Sequence, residues 1–162
     1  MNLKQQEKCL FLLHANDLIF SSYFLSTKNF IQHGNVSTYD HCLSVAYYSY
    51  WFSKKFPIHW NDRSLIRGAL LHDLYLYDWH EKDASHRLHG FHHPRRARNN
   101  AAFYYGINSL EENIILSHMW PLTIHRLPTY RESLVVCLVD KIVSLFETFH
   151  INVRVNEKLH LS

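Results

Sequence analysis

The sequence predicts an all-α fold, a single-domain helical bundle of about six or seven helices. Apolar residues recur at helical spacings along most of the 162 residues. Only four glycines and four prolines are present, whereas ordinary chains use these two for roughly 12% of their residues, so turn-rich β folds are disfavoured. Residues that cap helices precede several periodic segments. The hydrophobic share of 47% is sufficient for one well-packed core.

Two helical regions are predicted in the first third of the chain. Apolar residues between positions 3 and 32 follow spacings of three, four and seven, which predicts one long helix or two shorter ones, ended at Gly34. Ser37 stands three residues before Asp40, an arrangement like a capping box. It predicts a helix from about residue 38 to residue 55.

The middle of the chain predicts two helices separated by an irregular segment. Asn61 is the predicted N-cap of a helix that runs through His72. Residues 74–92 show no sustained period, so this segment is predicted to be irregular. Proline is favoured in the first turn of a helix, and Pro94 therefore predicts a helix from that position to Tyr105.

Two further capping boxes are predicted in the last third of the chain. Ser109 with Glu112 would open a short helix. Thr129 with Glu132 would open a long apolar helix that ends near Phe149.

Charge and cysteine content exclude several classes of protein. The 17 Lys and Arg residues against 14 Asp and Glu give a net charge of +3, too small to indicate a nucleic-acid polymer as a partner. Cys9, Cys42 and Cys137 are odd in number and far apart, which predicts reduced thiols and a cytoplasmic protein. No stretch approaches 18 uncharged apolar residues, so no membrane partner is expected.

The chain is rich in histidine, with 14 residues, and some of them occupy positions that predict chemistry. His72 follows Gly68 by one helical turn, so it points along an apolar stripe beside a small residue. Asp140 lies inside an apolar helix, where a buried carboxylate needs a cation. His118 leans toward the core at the end of its helix, and His41 enters on the first turns of another. Several helices thus each contribute inward nitrogen or oxygen ligands, as in the metal sites of helical bundles.

The ordered series His41, His72–Asp73, His93, His118, Asp140 resembles the HD-domain superfamily of metal-dependent phosphohydrolases, whose pattern is H…HD…H…H…D. The match covers roughly residues 37 to 148. The resemblance implies a bundle of the HD-domain type, with a metal-binding domain at 36–150. Residues 1–35 would then be a helical extension packed on the core, able to form a homodimer interface, and residues 151–162 a polar tail.

The resemblance also implies a ligand set for two metal ions. His41, His72, Asp73 and Asp140 would hold the first ion. His93 and His118 would hold the second, with Asp73 as the bridging and catalytic carboxylate. The His-Pro-x-x-small run that begins at His93 favours it over its neighbour His92, but the choice between the two stays open. Imidazole and carboxylate ligands without a thiolate suit Fe, Mn, Co, Ni or Zn.

The implied function is hydrolysis of a phosphate ester or anhydride of a small molecule, such as a nucleotide, by a metal-bridging hydroxide. The alternatives are an HD-type diiron oxygenase and a non-catalytic nucleotide-sensing module. The family members that cleave cyclic dinucleotides follow the HD pair with glycine and a basic residue, whereas Leu74 and Tyr75 follow it here. Positive charge for the substrate would instead come from these candidate binding residues: His80, His86, Arg87, His89, His92, Arg95, Arg96 and Lys141.

Overall fold

The fold is described from a computed structural model that covers residues 1–76 and 89–161, without the side chains at positions 89 and 90. The elements, in chain order, are α1 (Gln5–Ile19), α2 (Ser22–Ser26), a 3-10 turn (Thr27–Asn29), β1 (Ile31–His33), β2 (Val36–Ser37), α3 (Thr38–Ser53), α4 (Asp62–Leu71), α5 (His89–Tyr105), α6 (Ser109–Ser117), α7 (Arg131–Thr148) and α8 (Asn156–Leu159).

The protein is mostly helical, as the sequence predicts. Eight α-helices lie within the described residues, against six or seven expected: α1 and α2 form two shorter helices where one or two were predicted, and the short helix α8 was not predicted. In the same part of the chain no single helix is long and apolar enough to cross a membrane. Helix α1 reaches that length and composition only together with Ser22–Asn29, across a bend of 83°.

Helix α3 lies at the centre of the bundle and packs against α4 and α7. Its aromatic residues Tyr47 and Tyr50 are fully buried, and the ring of Phe11 on α1 lies 6.0 Å from each of theirs. Val155 and Leu159, near the C-terminus, are buried in the same hydrophobic core. Both ends of the chain therefore pack on the helices that carry the candidate ligands.

Helices α4 and α6 approach each other closely at Gly68. A Cβ atom at this position would lie 2.6 Å from Cδ1 of Ile114 on α6, which is closer than carbon atoms can pack. The glycine therefore allows the two helices a separation that any other residue would prevent.

The segment before α3 differs most from the prediction. Gly34 does not end a helix: it adopts a left-handed φ of +57° in the two-residue turn of a hairpin, where His33 pairs with Val36 and Ile31 with Ser37. Glycine adopts this conformation without the clash that a side chain would suffer. The apolar spacing that predicts helix for residues 3–32 therefore extends beyond the helical residues, because the last two residues of this range belong to a strand.

Helix α5 begins earlier than predicted. It starts at His89, so part of the segment expected to be irregular is helical, and Pro94 lies inside the helix rather than in its first turn. Proline removes one backbone donor from a helix interior but does not forbid the helix. The remainder of the predicted irregular segment, residues 77–88, lies outside the described residues.

The predicted helix caps near the start of the bundle are confirmed. The Ser37 hydroxyl accepts a hydrogen bond from the Asp40 backbone N–H at 3.1 Å and donates one to the Asp40 carboxylate at 2.8 Å. The side chain of Asn61 accepts a hydrogen bond from Ser64 N and caps α4. This helix ends one residue before His72, which occupies the C-cap position.

Two other predicted caps are wrong by one residue. Asn108, rather than Ser109, caps α6 and forms its capping box with Glu111. Tyr130, rather than Thr129, precedes α7, and no side chain caps that helix. The Glu132 carboxylate accepts a hydrogen bond from the Asn61 backbone N–H instead, so a tertiary contact replaces the local one.

Candidate metal centre

The structure brings together all six side chains that the sequence predicts as ligands. They come from α3, the end of α4, α5, the end of α6, and α7. Each is buried: His41 and His72 fully, and His118, Asp73, His93 and Asp140 with 1%, 3%, 4% and 6% of their surface exposed. His93 faces Asp73, whereas its neighbour His92 is exposed on α5.

Helices α4 and α6 end in the same way, and this shared ending directs two of the histidines. His72 and His118 occupy the C-cap positions of the two helices. Each donates Nδ1–H to the carbonyl three residues earlier, that of Ala69 or Ile115, at 2.7 Å. These bonds satisfy carbonyls that the end of a helix leaves without partners. The Nε2 atom of each ring therefore faces the other candidate ligands.

Asp73 lies between two groups of histidines. Its Oδ2 atom is 3.4 Å from His72 Nε2 and 3.9 Å from His41 Nε2. Its Oδ1 atom is 3.1 Å from His93 Nε2 and 3.5 Å from His118 Nε2. We call His41, His72, Asp140 and the Oδ2 atom the first group, and His93, His118 and the Oδ1 atom the second group. One carboxylate is thus shared by both groups.

Asp140 completes the first group, and Glu147 supports it from behind. Asp140 Oδ1 is 3.1 Å from His41 Nε2 and 3.6 Å from His72 Nε2. On its other side, His41 Nδ1 donates to Glu147 Oε2 at 2.8 Å. Glu147 is 2% exposed and follows Asp140 by two helical turns on α7. Such a carboxylate orients a ligating imidazole and makes its other nitrogen a better donor.

The carboxylates of Asp73 and Asp140 place negative charge in the protein interior. Burial raises the pKa of both Asp73 and Asp140, but the adjacent histidines outweigh it and hold each pKa well below its usual range. Burial alone would lower the pKa of His41, but its hydrogen bonds to Asp140 and Glu147 raise it to about 10. The charge of Asp73 likewise overcomes burial and raises the pKa of His72. The carboxylates thus require a cation here, supplied by protons on histidine or by a metal ion.

In the second group, ring nitrogens of two histidines face each other. His93 Nε2 and His118 Nε2 are 2.8 Å apart. Burial, reinforced by the charges of His72 and His93, outweighs Asp73 and lowers the pKa of His118 to about 3. Its ring is therefore neutral, and because Nδ1 carries the proton, Nε2 presents a lone pair.

The donor set fits a transition-metal ion. The ligating atoms of His41, His72 and Asp73 lie within 4.8 Å of one another, as do those of Asp73, His93 and His118. His72 Nε2 is buried and has no hydrogen-bond partner among the described residues. Neutral imidazole and carboxylate are the ligands preferred by divalent Mn, Fe, Co, Ni and Zn in sites without thiolates.

Gln32 is a buried contact of Asp73 that the sequence did not predict. It lies on β1 and donates Nε2–H to Asp73 Oδ2 at 2.6 Å. Its Oε1 atom accepts hydrogen bonds from the Tyr75 hydroxyl and, at 3.2 Å, from the Thr38 hydroxyl. These contacts join the hairpin, the start of α3 and the turn after α4.

A cavity of about 880 Å³ opens onto both groups. Its polar wall includes Gln32 and His33, next to the candidate ligands. Burial, together with the charge of nearby His41, lowers the pKa of His33, so this ring is neutral at pH 7. The apolar part of the wall is formed by Met119, Pro121, Leu122 and Leu145.

The structure does not bring the candidate substrate-binding residues together as it does the candidate ligands. Lys141 lines the cavity, but its ammonium donates to the carbonyls of His118 at 2.8 Å and Cys137 at 3.1 Å. The remaining candidates fall into two sets. His92, Arg95 and Arg96 are exposed on α5 and are not among the described residues that line the cavity, and His80, His86, Arg87 and the side chain of His89 lie outside the described part of the chain.

Comparisons with protein-family models, curated proteins and solved structures found no match for this chain.

Proposed function

We propose that this protein is a metal-dependent phosphohydrolase of the HD-domain type, acting on a phosphate ester or anhydride of a small molecule such as a nucleotide. The observation that carries the proposal is the position of Asp73, whose two oxygens face two separate pairs of buried histidines. A carboxylate shared between two ligand groups is suited to a pair of ions a few ångströms apart, the arrangement used to displace a phosphoryl group.

The chain's own residues divide between the two ions. His41, His72 and Asp140 would hold one, and His93 and His118 the other, with Asp73 between them. When bound, two such ions lower the pKa of a water molecule and offset the negative charge of a phosphoryl group. The carboxylates of Asp73 and Asp140 neutralise only part of the charge of two divalent ions. The excess positive charge favours an anionic substrate.

The cavity supports a small molecule as the substrate. Its volume of about 880 Å³ is within the range of roughly 300–1,000 Å³ that is typical of small-molecule sites. The apolar wall that includes Met119, Leu122 and Leu145 would contact the part of the substrate that carries no charge. A phosphorylated molecule with a flat or apolar portion, such as a nucleobase, satisfies both parts of the cavity.

A second candidate function is oxidation by a pair of iron ions held by the same ligands. One observation favours it: among the described residues that line the cavity, Lys141 is the only lysine or arginine, and two carbonyls already engage its ammonium. A less anionic substrate would need no further cation. The two functions differ in their requirement for dioxygen.

Metal analysis of anaerobically purified protein, paired with a phosphoester screen, tests the proposal. We expect release of phosphate with Mn²⁺ or Co²⁺ in the absence of dioxygen. The double variant His72→Ala/Asp73→Ala should lose both metal and turnover, whereas His59→Ala, which changes an exposed histidine, should keep both. Turnover that survives in the metal-free double variant would overturn the proposal, and a product formed only with iron and dioxygen would establish the second function instead.

A further inference from the structure

The hairpin β1–β2 places a buried amide against the carboxylate shared by the two groups. Gln32 is 7% exposed, and its Nε2 donates to Asp73 Oδ2 at 2.6 Å. Oδ2 is the oxygen that faces His72 and His41, whereas Oδ1 faces the second group and has no aligned hydrogen-bond partner among the described residues. The amide therefore distinguishes the two oxygens of one carboxylate.

The orientation of this amide is fixed by the Asp73 carboxylate, which can only accept hydrogen bonds, while two hydroxyl groups contact the other end of the amide. Gln32 Oε1 accepts hydrogen bonds from Tyr75 OH and from Thr38 Oγ1. Rotating the amide by half a turn would place its oxygen against the Asp73 carboxylate and its N–H groups against the two hydroxyls. Thr38 and Tyr75 are themselves buried, with 0% and 2% of their surface exposed. The amide nitrogen is consequently held toward Asp73.

We infer that Gln32 is a positioning residue that keeps Asp73 shared between the two groups. A carboxylate that is free to turn can direct both oxygens toward a single ion. The hydrogen bond from Gln32 opposes that rotation by holding Oδ2 on the side of the first group. Oδ1 is thereby left for the second group. This inference rests on the two-ion centre of the proposed function.

The second group depends more strongly on this arrangement than the first. Besides Asp73, the first group contains His41, His72 and Asp140, whereas the second contains His93 and His118. Rotation of Asp73 would leave the second ion with two imidazole ligands. Loss of Gln32 should therefore weaken the two ions unequally.

Titration of the Gln32→Met variant with Mn²⁺ or Co²⁺ alone tests this inference. Methionine has a similar length but forms no comparable hydrogen bond. Stoichiometry and affinity would be measured by calorimetry and by competition with a chelator. We expect the affinity for the more weakly held ion to fall about 10–100-fold, the usual effect of losing a residue that orients a ligand, while the affinity for the other changes only a few-fold. Gln6→Met, on the exposed side of α1, should bind both ions as the wild type does.

The unequal effect separates positioning from general loss of stability, because a merely destabilised protein would bind both ions less tightly. If Gln32→Met does not fold, Tyr75→Phe keeps the glutamine, removes one of the hydroxyls that orient it, and should weaken the same ion by a smaller factor. The inference would be overturned if the variants bound each ion with the same affinity as the wild type. It would also be overturned if the wild type bound a single ion. A wild type that binds two ions, loses one in Gln32→Met and hydrolyses no phosphoester would overturn the proposed function alone.

Discussion

Helix α4 passes beside two clusters of buried charge that are neutralised in different ways. In the first, Arg67 is 3% exposed; its Nε atom donates to Glu111 Oε1 at 3.2 Å, and Nη1 donates to Asp17. In the second, just beyond the end of the helix, Asp73 and Asp140 face imidazoles. Arginine keeps its charge at every physiological pH, whereas the charge of imidazole depends on a proton.

The difference separates a structural role from a chemical one. The arginine cluster has a permanent cation, and the other arm of the guanidinium, Nη2, lies 3.4 Å from the carbonyl oxygens of Tyr105 and Gly106. The histidine cluster has a cation that can be exchanged, either protons or a metal ion. Changes in the first cluster should therefore affect folding, and changes in the second should affect metal binding and turnover.

The largest effect is expected for Asp73→Asn, which removes the charge of the shared carboxylate. Turnover should fall by about 10³-fold or more, equivalent to several kcal/mol of lost stabilisation of the transition state. Metal content, measured by elemental analysis, should fall with it. Glu157→Gln, which changes an exposed carboxylate on α8, is the control and should alter neither. A variant that kept both its metal and its turnover would show that the charge of Asp73 is not required.

Arg67→Met should affect stability instead. It leaves the buried carboxylate of Glu111 without its cation, which should lower the free energy of unfolding by about 3–5 kcal/mol. Urea denaturation of the metal-free protein would measure the loss. The protein that remains folded should bind as many ions as the wild type. A change of less than about 1 kcal/mol in the free energy of unfolding would mean that the arginine cluster does not stabilise the fold.

Metal binding should depend on pH because a proton competes for His41. Its pKa is raised from 6.5 to about 10, so between these values affinity for the metal should rise with pH by up to about tenfold per pH unit. The free energy of unfolding of the metal-free protein should instead fall as the pH rises. A raised pKa contributes stability that is present below pH 6.5 and is lost as the pH rises through about 10.

Calorimetry in buffers of different ionisation enthalpy would count the protons that the metal displaces, and thermal unfolding with and without metal would compare the two trends. Binding that releases no proton at pH 7 would contradict a protonated His41.

The smallest of these effects is expected for Glu147→Gln. The amide oxygen still accepts a hydrogen bond from His41 Nδ1, but the negative charge that strengthens the imidazole as a ligand is lost. Affinity for the metal should fall by about tenfold, the lower end of the range for residues of this kind. Competition with a chelator would measure it. A fall as large as that of Asp73→Asn would indicate that Glu147 ligates the ion directly.

His41, His72, His118 and Asp140 could be predicted to face inward because each stands at a defined place on a helix, whereas His93 was predicted from the resemblance to the HD-domain pattern. Asp140 could be recognised as a carboxylate inside an apolar helix. Glu147 was missed, although its spacing of seven residues from Asp140 places it on the same face of α7 two turns later. Extending the same periodicity would have found it.

Gln32 could not be found in this way, because its position depends on tertiary structure. It belongs to a segment whose apolar spacing predicts helix, and the hairpin forms because Gly34 turns the chain and residues 36–37 pair with the strand. Thr129 illustrates the same limit. Its expected capping partner Glu132 instead contacts the Asn61 backbone, which is distant in sequence.

The close approach of α4 and α6 has a consequence for the spacing of the two groups of candidate ligands. Gly68 precedes His72 by one helical turn, and Ile114 precedes His118 by one turn, so the contact between the helices lies directly below the two histidines, whose ring centroids are 4.9 Å apart. A methyl group at position 68 would force the helix ends apart. The distance between the two groups of candidate ligands is thus determined in part by a residue that has no side chain.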